Sequence, residues 1–600
     1  MKQIRMYDKP VRRKFGRIVS GKLGSACLLI ALFVGTPACS DMLETSDGNA
    51  VNVSRHYNDF NDADKAILGI YGKLMGLVDR VILLNELRAD LLDITDNSTD
   101  DQVMLNNHIP NPNNKYCDLS PFYEVILNCN DALYHFDEML AANKISKTDY
   151  DYRFADVMAV RCWLYLQMAI HFGNIPYVTE PLEKVADVND PSRFPVLSLE
   201  DVLARLIASF EPLPKGISFS SPLIVAGTID NYAIGREMLL NKHMVMGDLY
   251  LWNNQYVEAA TQYFEVINEA ETKNIFGAIL NREWAYKLDV WTAADPRLQI
   301  AYINASDITT LRNNWKTIFS RASTDAMLQR EVFNMFVYYP KFSPQYPLIE
   351  IFANTGKGKY QVRPSQWAMD SLWNAQLQRG NGVIFDARGR QAAFDQVNDQ
   401  PVVIKYLYSY YPQETGANST IFLNYASTEK QDYLQGNWYI YRAGLLNLRY
   451  AEAANRAGYP DLALQMLNNG MGGVNIDHGY PFRLLGNSAV SGADAATWRN
   501  SGGLRRRAYI ANAEAPGWVQ NFQDTIKWVE EALITEAALE CGFEGYRWGD
   551  ILRVTRRKNS LEAGSGTSYL NSLIAPKFTI SGKAAPSLSP DNWFLTRRKD

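Results

Sequence analysis

The hydrophobic pattern of this chain is helical over much of its first half. Asn61 to Leu77 is a first helix candidate. Phe122, Ile126, Cys129, Leu133, Phe136 and Leu140 then recur at steps of four and three, which draws one apolar stripe down a helix. After a break over Ile145–Asp149, Met158, Cys162, Tyr165, Ala169 and Phe172 form one stripe, and Val157, Val160, Leu164 and Met168 form a second on the same helix. Two apolar faces predict packing on two sides. Gly173-Asn174-Ile175-Pro176 supplies the stop, with Gly at the end and Pro beyond it. Ser198 and Asp201 have the spacing of a capping box and open a shorter helix reaching Phe210. Leu239, His243, Met246 and Tyr250 line one further helix, and Ala260, Tyr263, Phe264 and Ile267 the next, with Trp252-Asn253-Asn254-Gln255 as the turn. Paired helices repeated in this way predict tetratricopeptide-like units over about 61–275.

From about 276 to 437, Pro, Gly, Asn and aromatic residues interrupt every period, with Val402–Tyr408 as a strand-like exception. Helical spacing returns at Tyr439, Ala443, Leu446, Tyr450, Ala453 and Ala457, again from Asp524 to Cys541, and after Gly545, giving C-terminal helices over about 438–556. The expected fold is mainly α. Helical repeats support an irregular, loop-rich region with minor β that packs on one face of the scaffold. Ordered loops on a rigid support are where binding side chains collect.

The N-terminal segment changes the picture of where the chain works. Lys9, Arg12, Arg13, Lys14, Arg17 and Lys22 precede an apolar run from Leu23 to Val34, and Gly35-Thr36-Pro37-Ala38-Cys39 follows. A basic start, a short apolar centre and small residues at the cut are the marks of a secretory signal over residues 1–38. The run is shorter than the roughly 20 residues a spanning helix needs. Ala38-Cys39 resembles a bacterial lipobox, with Thr36 where Leu is usual. That resemblance implies Cys39 as a lipid-bearing first residue that ties the mature chain of 39–600 to a membrane.

A net charge of −5 gives no basic footprint for nucleic acid. Aromatic residues make up 12% of the chain, more than a core of this kind demands, which suits a surface that stacks flat ligands. Cys117, Cys129, Cys162 and Cys541 form no CxxC, which argues against zinc and thiol-redox chemistry and favours buried free thiols over a Cys117–Cys129 bridge. HExxH, GxSxG, P-loop and GxGxxG motifs are all missing. Glu530, Glu531, Glu536 and Glu540 share one helix and are expected to pair structurally with Arg547 or Arg553, and His135 and His243 to be hydrogen-bonded in packed surroundings. Asp90, Asp93, Asp96, Asp100 and Asp101 lack the spacing of an EF-hand and are expected as an acidic turn. Neither enzyme chemistry, a cofactor nor a metal is expected. Trp163, Trp315, Trp373 and Trp438 are expected in the core.

Several segments, in order along the chain, resemble the SusD/RagB family of outer-membrane nutrient-binding lipoproteins. They are Cys39–Glu44; Ala159–Tyr165 leading to His171-Phe172-Gly173-Asn174-Ile175-Pro176; Gly247–Trp252 with Tyr256–Ala260; Tyr441–Ala453, similar to an R-x-x-E-x-x-L-x-x-A-E-A helix; and Glu544–Arg553, similar to E-G-x-R-x-x-D-L-x-R. The family's terminal strand is reduced here to Trp593-Phe594-Leu595, and 282–311 resembles added length. The resemblance implies a surface lipoprotein that binds a glycan and delivers it to a TonB-dependent, SusC-like outer-membrane barrel. Peptide capture, as in RagB-like relatives, and a helical scaffold without a ligand of its own remain the alternatives. Positional carry-over gives Arg88, Asp90 and the Asn106-Asn107-His108 turn as one part of a ligand site and Tyr346, Asn354, Tyr360 and Trp367 as the other.

Overall fold

A computed structural model describes residues 57–182, 193–216, 238–272, 319, 332–338, 346–379, 383–407, 436–470, 475–484 and 503–598. The signal segment, Cys39, Trp315 and 282–311 lie outside the described residues. Residues 57–600 form one compact unit.

Each early helix starts where its cap residue sits. Asp59 accepts hydrogen bonds from the amides of Asn61 and Asp62 and opens α1 (Phe60–Met75). After α2 (Val78–Glu86), Thr99 and Gln102 close a reciprocal capping box at α3 (Asp100–Asn106). α4 (Ser120–Ala141) packs between α1 and α5 (Lys147–Phe172), and α5 is buried from Ala155 to Phe172 without interruption, as its two apolar stripes require. Gly173, at φ 69°, ends it. Ser198 accepts from the Asp201 amide and opens α6 (Leu199–Phe210). α7 (Lys242–Trp252) and α8 (Tyr256–Thr272) form the next antiparallel pair.

The second half joins this stack through α10 (Ala443–Arg456), which packs on α8, on α11 (Pro460–Asn468) and on α13 (Phe522–Cys541). α13 meets α14 (Arg547–Leu561), and α14 packs on α15 (Ser565–Thr579) and returns to α2 and α5. The late helical region therefore runs past residue 556. The short helices α9 (Pro347–Phe352) and α12 (Gly503–Arg507) lie between these blocks in sequence, and α9 packs on α2.

The strands are short and paired in twos. β1 (Leu92–Ile94) pairs with β5 (Val362–Pro364), β2 (Ile175–Pro176) with β3 (Val196–Leu197), β4 (Val332–Tyr338) with β8 (Gly436–Arg442), β6 (Phe394–Val397) with β7 (Gln400–Val403), and β9 (Ile476–Asp477) with β10 (Arg483–Leu484), all antiparallel. Tyr439 belongs to β8, and the helix begins only at Ala443. The run Trp438-Tyr439-Ile440-Tyr441 is buried throughout and rich in strand-forming residues, so pairing with β4 overrides the helical spacing. Val402 and Val403 lie in a strand, but 404–407 leave it; Asn398 and Asp399, at φ 49° and 60°, make the two-residue hairpin turn. Leu595 forms no strand and instead donates its amide to the His171 carbonyl at 2.8 Å. The four cysteines are free and buried, so no Cys117–Cys129 bridge forms. Trp163, Trp373 and Trp438 are in the core.

Candidate ligand-binding face

The loop after α2 and the irregular segment around α9 meet through β1 and β5. Leu92 faces Pro364, and Ile94 faces Val362. Gln102 Nε2 donates to Gln361 Oε1 at 2.9 Å, the Thr95 and Ser98 hydroxyls reach carbonyls of residues 360 and 361, and the Ser365 amide donates to the Leu91 carbonyl at 2.8 Å. Segments more than 250 residues apart in sequence are thus one pinned unit.

Within that unit several side chains expected to touch ligand turn inward. Arg88 exposes none of its surface. Its Cζ lies 3.9 Å from the Trp548 ring centroid, Nη2 donates to the Trp593 carbonyl at 2.9 Å and Nη1 donates to His171 Nδ1 at 3.3 Å. With no carboxylate partner among the described residues, its burial lowers its pKa to about 9. Asp90 is equally buried and accepts both arms of Arg547, at 2.7 and 2.6 Å. Tyr346 is fully buried beside Tyr338 and donates its hydroxyl to the Asn437 carbonyl at 2.9 Å. Tyr360, at φ 47°, is buried and donates to the Pro401 carbonyl at 2.7 Å. Direct ligand contact at Arg88, Asp90, Tyr346 and Tyr360 is therefore corrected to a packing role: these groups hold the two loops in place.

His108, Asn354 and Trp367 keep part of their surface. His108 adopts φ 54° and donates Nε2–H to the Arg88 carbonyl at 2.8 Å; burial and the nearby Arg88 and Lys577 hold its pKa well below the usual value, so it is neutral. Asn354 donates to the Val397 carbonyl at 2.6 Å and to Gln400 at 3.1 Å. Trp367 precedes a π-helical turn over Ala368–Trp373 and packs its inner side on the core. Asn97, Ile109, Lys359 and Gln366 are exposed on the same segments. These pinned segments carry an indole, an imidazole and amides, the mixture that sugar faces and hydroxyls require.

Sequence reasoning overlooked Tyr480 and Trp518, which are 52% and 50% exposed. Tyr480 meets Phe264 edge-on at 5.6 Å. The signal available for Trp518 was its place after Pro516-Gly517, outside any apolar period.

The carboxylates on α13 are committed elsewhere. Glu536 accepts from Arg388 at 2.6 Å and Arg505 at 2.8 Å; Glu540 accepts from Arg388 at 3.0 Å and Arg442 at 2.7 Å. Arg388 and Arg442 thus replace the expected partners, since Arg547 holds Asp90 and Arg553 holds Glu452 and Asp550. A small cavity beside this network, lined by Arg388, Lys405, Glu540 and Phe319, is too small for a sugar ring. His135 and His243 bond Glu138 and Gln262. Among the described residues no group of three or more His, Cys, Asp or Glu is placed to hold a metal.

The class defined by this geometry is a helical-repeat protein whose loop face is pinned by short strand pairs. More particularly, the fold is SusD-like. No protein-family model and no curated protein matches the sequence. Solved structures match along most of it. Surface glycan-binding protein A from Bacteroides uniformis is 16% identical, with TM-score 0.54 over 89% of this chain and 95% of its own. A SusD superfamily protein from Bacteroides thetaiotaomicron is 16% identical, with TM-score 0.51 over 86% of this chain and 94% of its own. A SusD-like carbohydrate-binding protein from Bacteroides fragilis is 12% identical, with TM-score 0.51 over 90% of this chain and 97% of its own.

Proposed function

We propose that this protein is a surface lipoprotein, anchored through Cys39, that captures a glycan and hands it to a TonB-dependent SusC-like barrel in the outer membrane. The observation that carries this reading is the SusD-like fold, shared over nearly the full length of proteins whose names state glycan or carbohydrate binding. The pinned face supports it. Trp367 supplies a ring for a pyranose face, and Asn354 and His108 supply polar groups for sugar hydroxyls. No bond is made or broken; reversible binding raises the ligand concentration beside the pore. Each ring contact contributes about 0.5–1.5 kcal/mol beyond area burial, so several act together.

Affinity electrophoresis of the mature protein against a polysaccharide panel is the test. Saturable retention by a glycan, weakened roughly fivefold in Trp367→Ala, is the expected result. Binding confined to oligopeptides would replace the glycan with a peptide, and co-purification of a barrel with neither ligand would leave a scaffold. Palmitate labelling that survives in the wild type and vanishes in Cys39→Ala checks the anchor.

A further inference from the structure

Away from that face, residues 376–379 run beside residues 383–385 and 509–512. Leu377 pairs with Ile384 and Gln378 with Ile510, both antiparallel. The Arg379 amide donates to the Tyr509 carbonyl at 3.0 Å, and the Ala511 amide to the Leu377 carbonyl at 2.7 Å. This register sets Arg379 at the end of α12, which carries Arg505 and Arg506: the Tyr509 amide donates to the Arg506 carbonyl at 2.9 Å, and Arg505 Nη2 donates to Gln376 Oε1 at 3.3 Å.

The three cations are not equally neutralised. Arg505 donates to the buried Glu536 at 2.8 Å and to the Ala511 carbonyl at 2.7 Å. Arg379 and Arg506 have no carboxylate partner among the described residues. Arg379 Nη2 donates to Asn512 Oδ1 at 2.5 Å, while its Nε, shielded from solvent, has no partner. Burial lowers the pKa of Arg379, and Arg506 and then Arg505 lower it further. A half-buried guanidinium beside like charges is held at a cost that an arriving anion relieves. The surroundings suit a sugar. Leu377 and Ile384 are 47% and 62% exposed, and Asn512 presents its amide to solvent.

We infer that Arg379 and Arg506, with Asn512, form a subsite for an acidic sugar residue, through the carboxylate of a uronic acid or a sulfate ester. This rests on the glycan-capture reading and names a ligand class for it. A guanidinium binds either group through two parallel hydrogen bonds. The chain's net charge of −5 repels a polyanion elsewhere, so a local cationic point decides where such a polymer docks.

The test is affinity electrophoresis of the mature protein through polygalacturonate, dextran sulfate and neutral dextran, with the double variant R379Q/R506Q alongside. Neither arginine holds a carboxylate among the described residues, so the variant should keep the wild-type thermal midpoint, which is measured first. The expected result is retention by an acidic polymer, abolished by about 0.5 M NaCl and weakened roughly tenfold or more in the variant, with any neutral-glycan binding unchanged. Retention by polygalacturonate alone assigns the carboxylate, and by dextran sulfate alone the sulfate. Binding only to neutral glycans overturns the subsite and leaves glycan capture standing. Equal retention of wild type and variant overturns it by placing the acidic site elsewhere. Retention by none of the three overturns the subsite, and glycan capture itself is then decided by the polysaccharide panel.

Discussion

His171 shows how one buried contact fixes a protonation state. It lies in the last turn of α5, 1% exposed, and its Nδ1 receives a hydrogen bond from Arg88. Arginine only donates, so Nδ1 must be unprotonated and the ring neutral. Burial first, and Arg88 second, hold its pKa well below 6.5. A group depressed in the folded state stabilises fully above its unfolded pKa and loses that contribution as pH falls through the window beneath it. Urea unfolding should therefore show stability declining from about pH 6.5 downward, with His171→Gln removing roughly 1.4 kcal/mol per pH unit of that slope. An unchanged slope would mean that the ring charges in the folded protein. Arg388 poses the opposite problem, since it pairs with Asp386, Glu536 and Glu540 at once. Arg388→Met strands buried carboxylates that Arg442 and Arg505 only partly cover, and should cost roughly 3–5 kcal/mol in the same assay. The sequence marked the α13 glutamates as structural but not their partners, because Arg388 is 148 residues from Glu536 and no local spacing links them.

At the scale of elements, the helices were the legible part. The expected Asn61–Leu77 is Phe60–Met75, and the Ser198–Asp201 signal opens α6 where it was read. Local chemistry suffices there, because caps and apolar stripes act within one or two turns. Helical spacing extends into β8 because both periods fit a short apolar run, and the strand's burial is decided by β4, about a hundred residues away. Close packing between helices is another property the pattern does not print, and it separates two glycines. A Cβ on Gly247 would lie 2.5 Å from the Tyr263 ring, whose hydroxyl is fixed on Asp248 at 2.6 Å. Gly247→Ala should lower stability by about 1–3 kcal/mol as α7 and α8 are forced apart, outweighing the gain in helix propensity. In α1, Gly69 has nothing within 4 Å of a Cβ. Gly69→Ala should raise stability by roughly 0.5–1 kcal/mol. Equal effects at the two positions would contradict the packing.

For the whole molecule, the sequence located the loops of the candidate face but not which way their side chains turn. Arg88 and Asp90 point inward because α14 and the C-terminal tail come back to meet them, a closure over more than 450 residues. That closure makes residues 86–90 a clasp between the two ends. Glu86 accepts the amides of Gly545 at 2.7 Å and Tyr546 at 3.1 Å ahead of α14, where a helix N-terminus favours a carboxylate. Lys577 on α15 donates to the carbonyls of Leu87 at 2.8 Å and Ala89 at 2.9 Å, which end α2 and lead into the candidate face. Lys577→Met leaves both buried carbonyls unpaired, which costs about 1–3 kcal/mol for each group left without a donor. If the clasp joins the ends into one cooperative unit, the loss is felt at both. Native-state hydrogen exchange should then show α4 and α5 losing the same protection free energy as α13 and α14, within one unfolding transition. Loss confined to α13–α15, with α4 and α5 unchanged, would mean that the early repeats stand alone and that the face is supported from one side only.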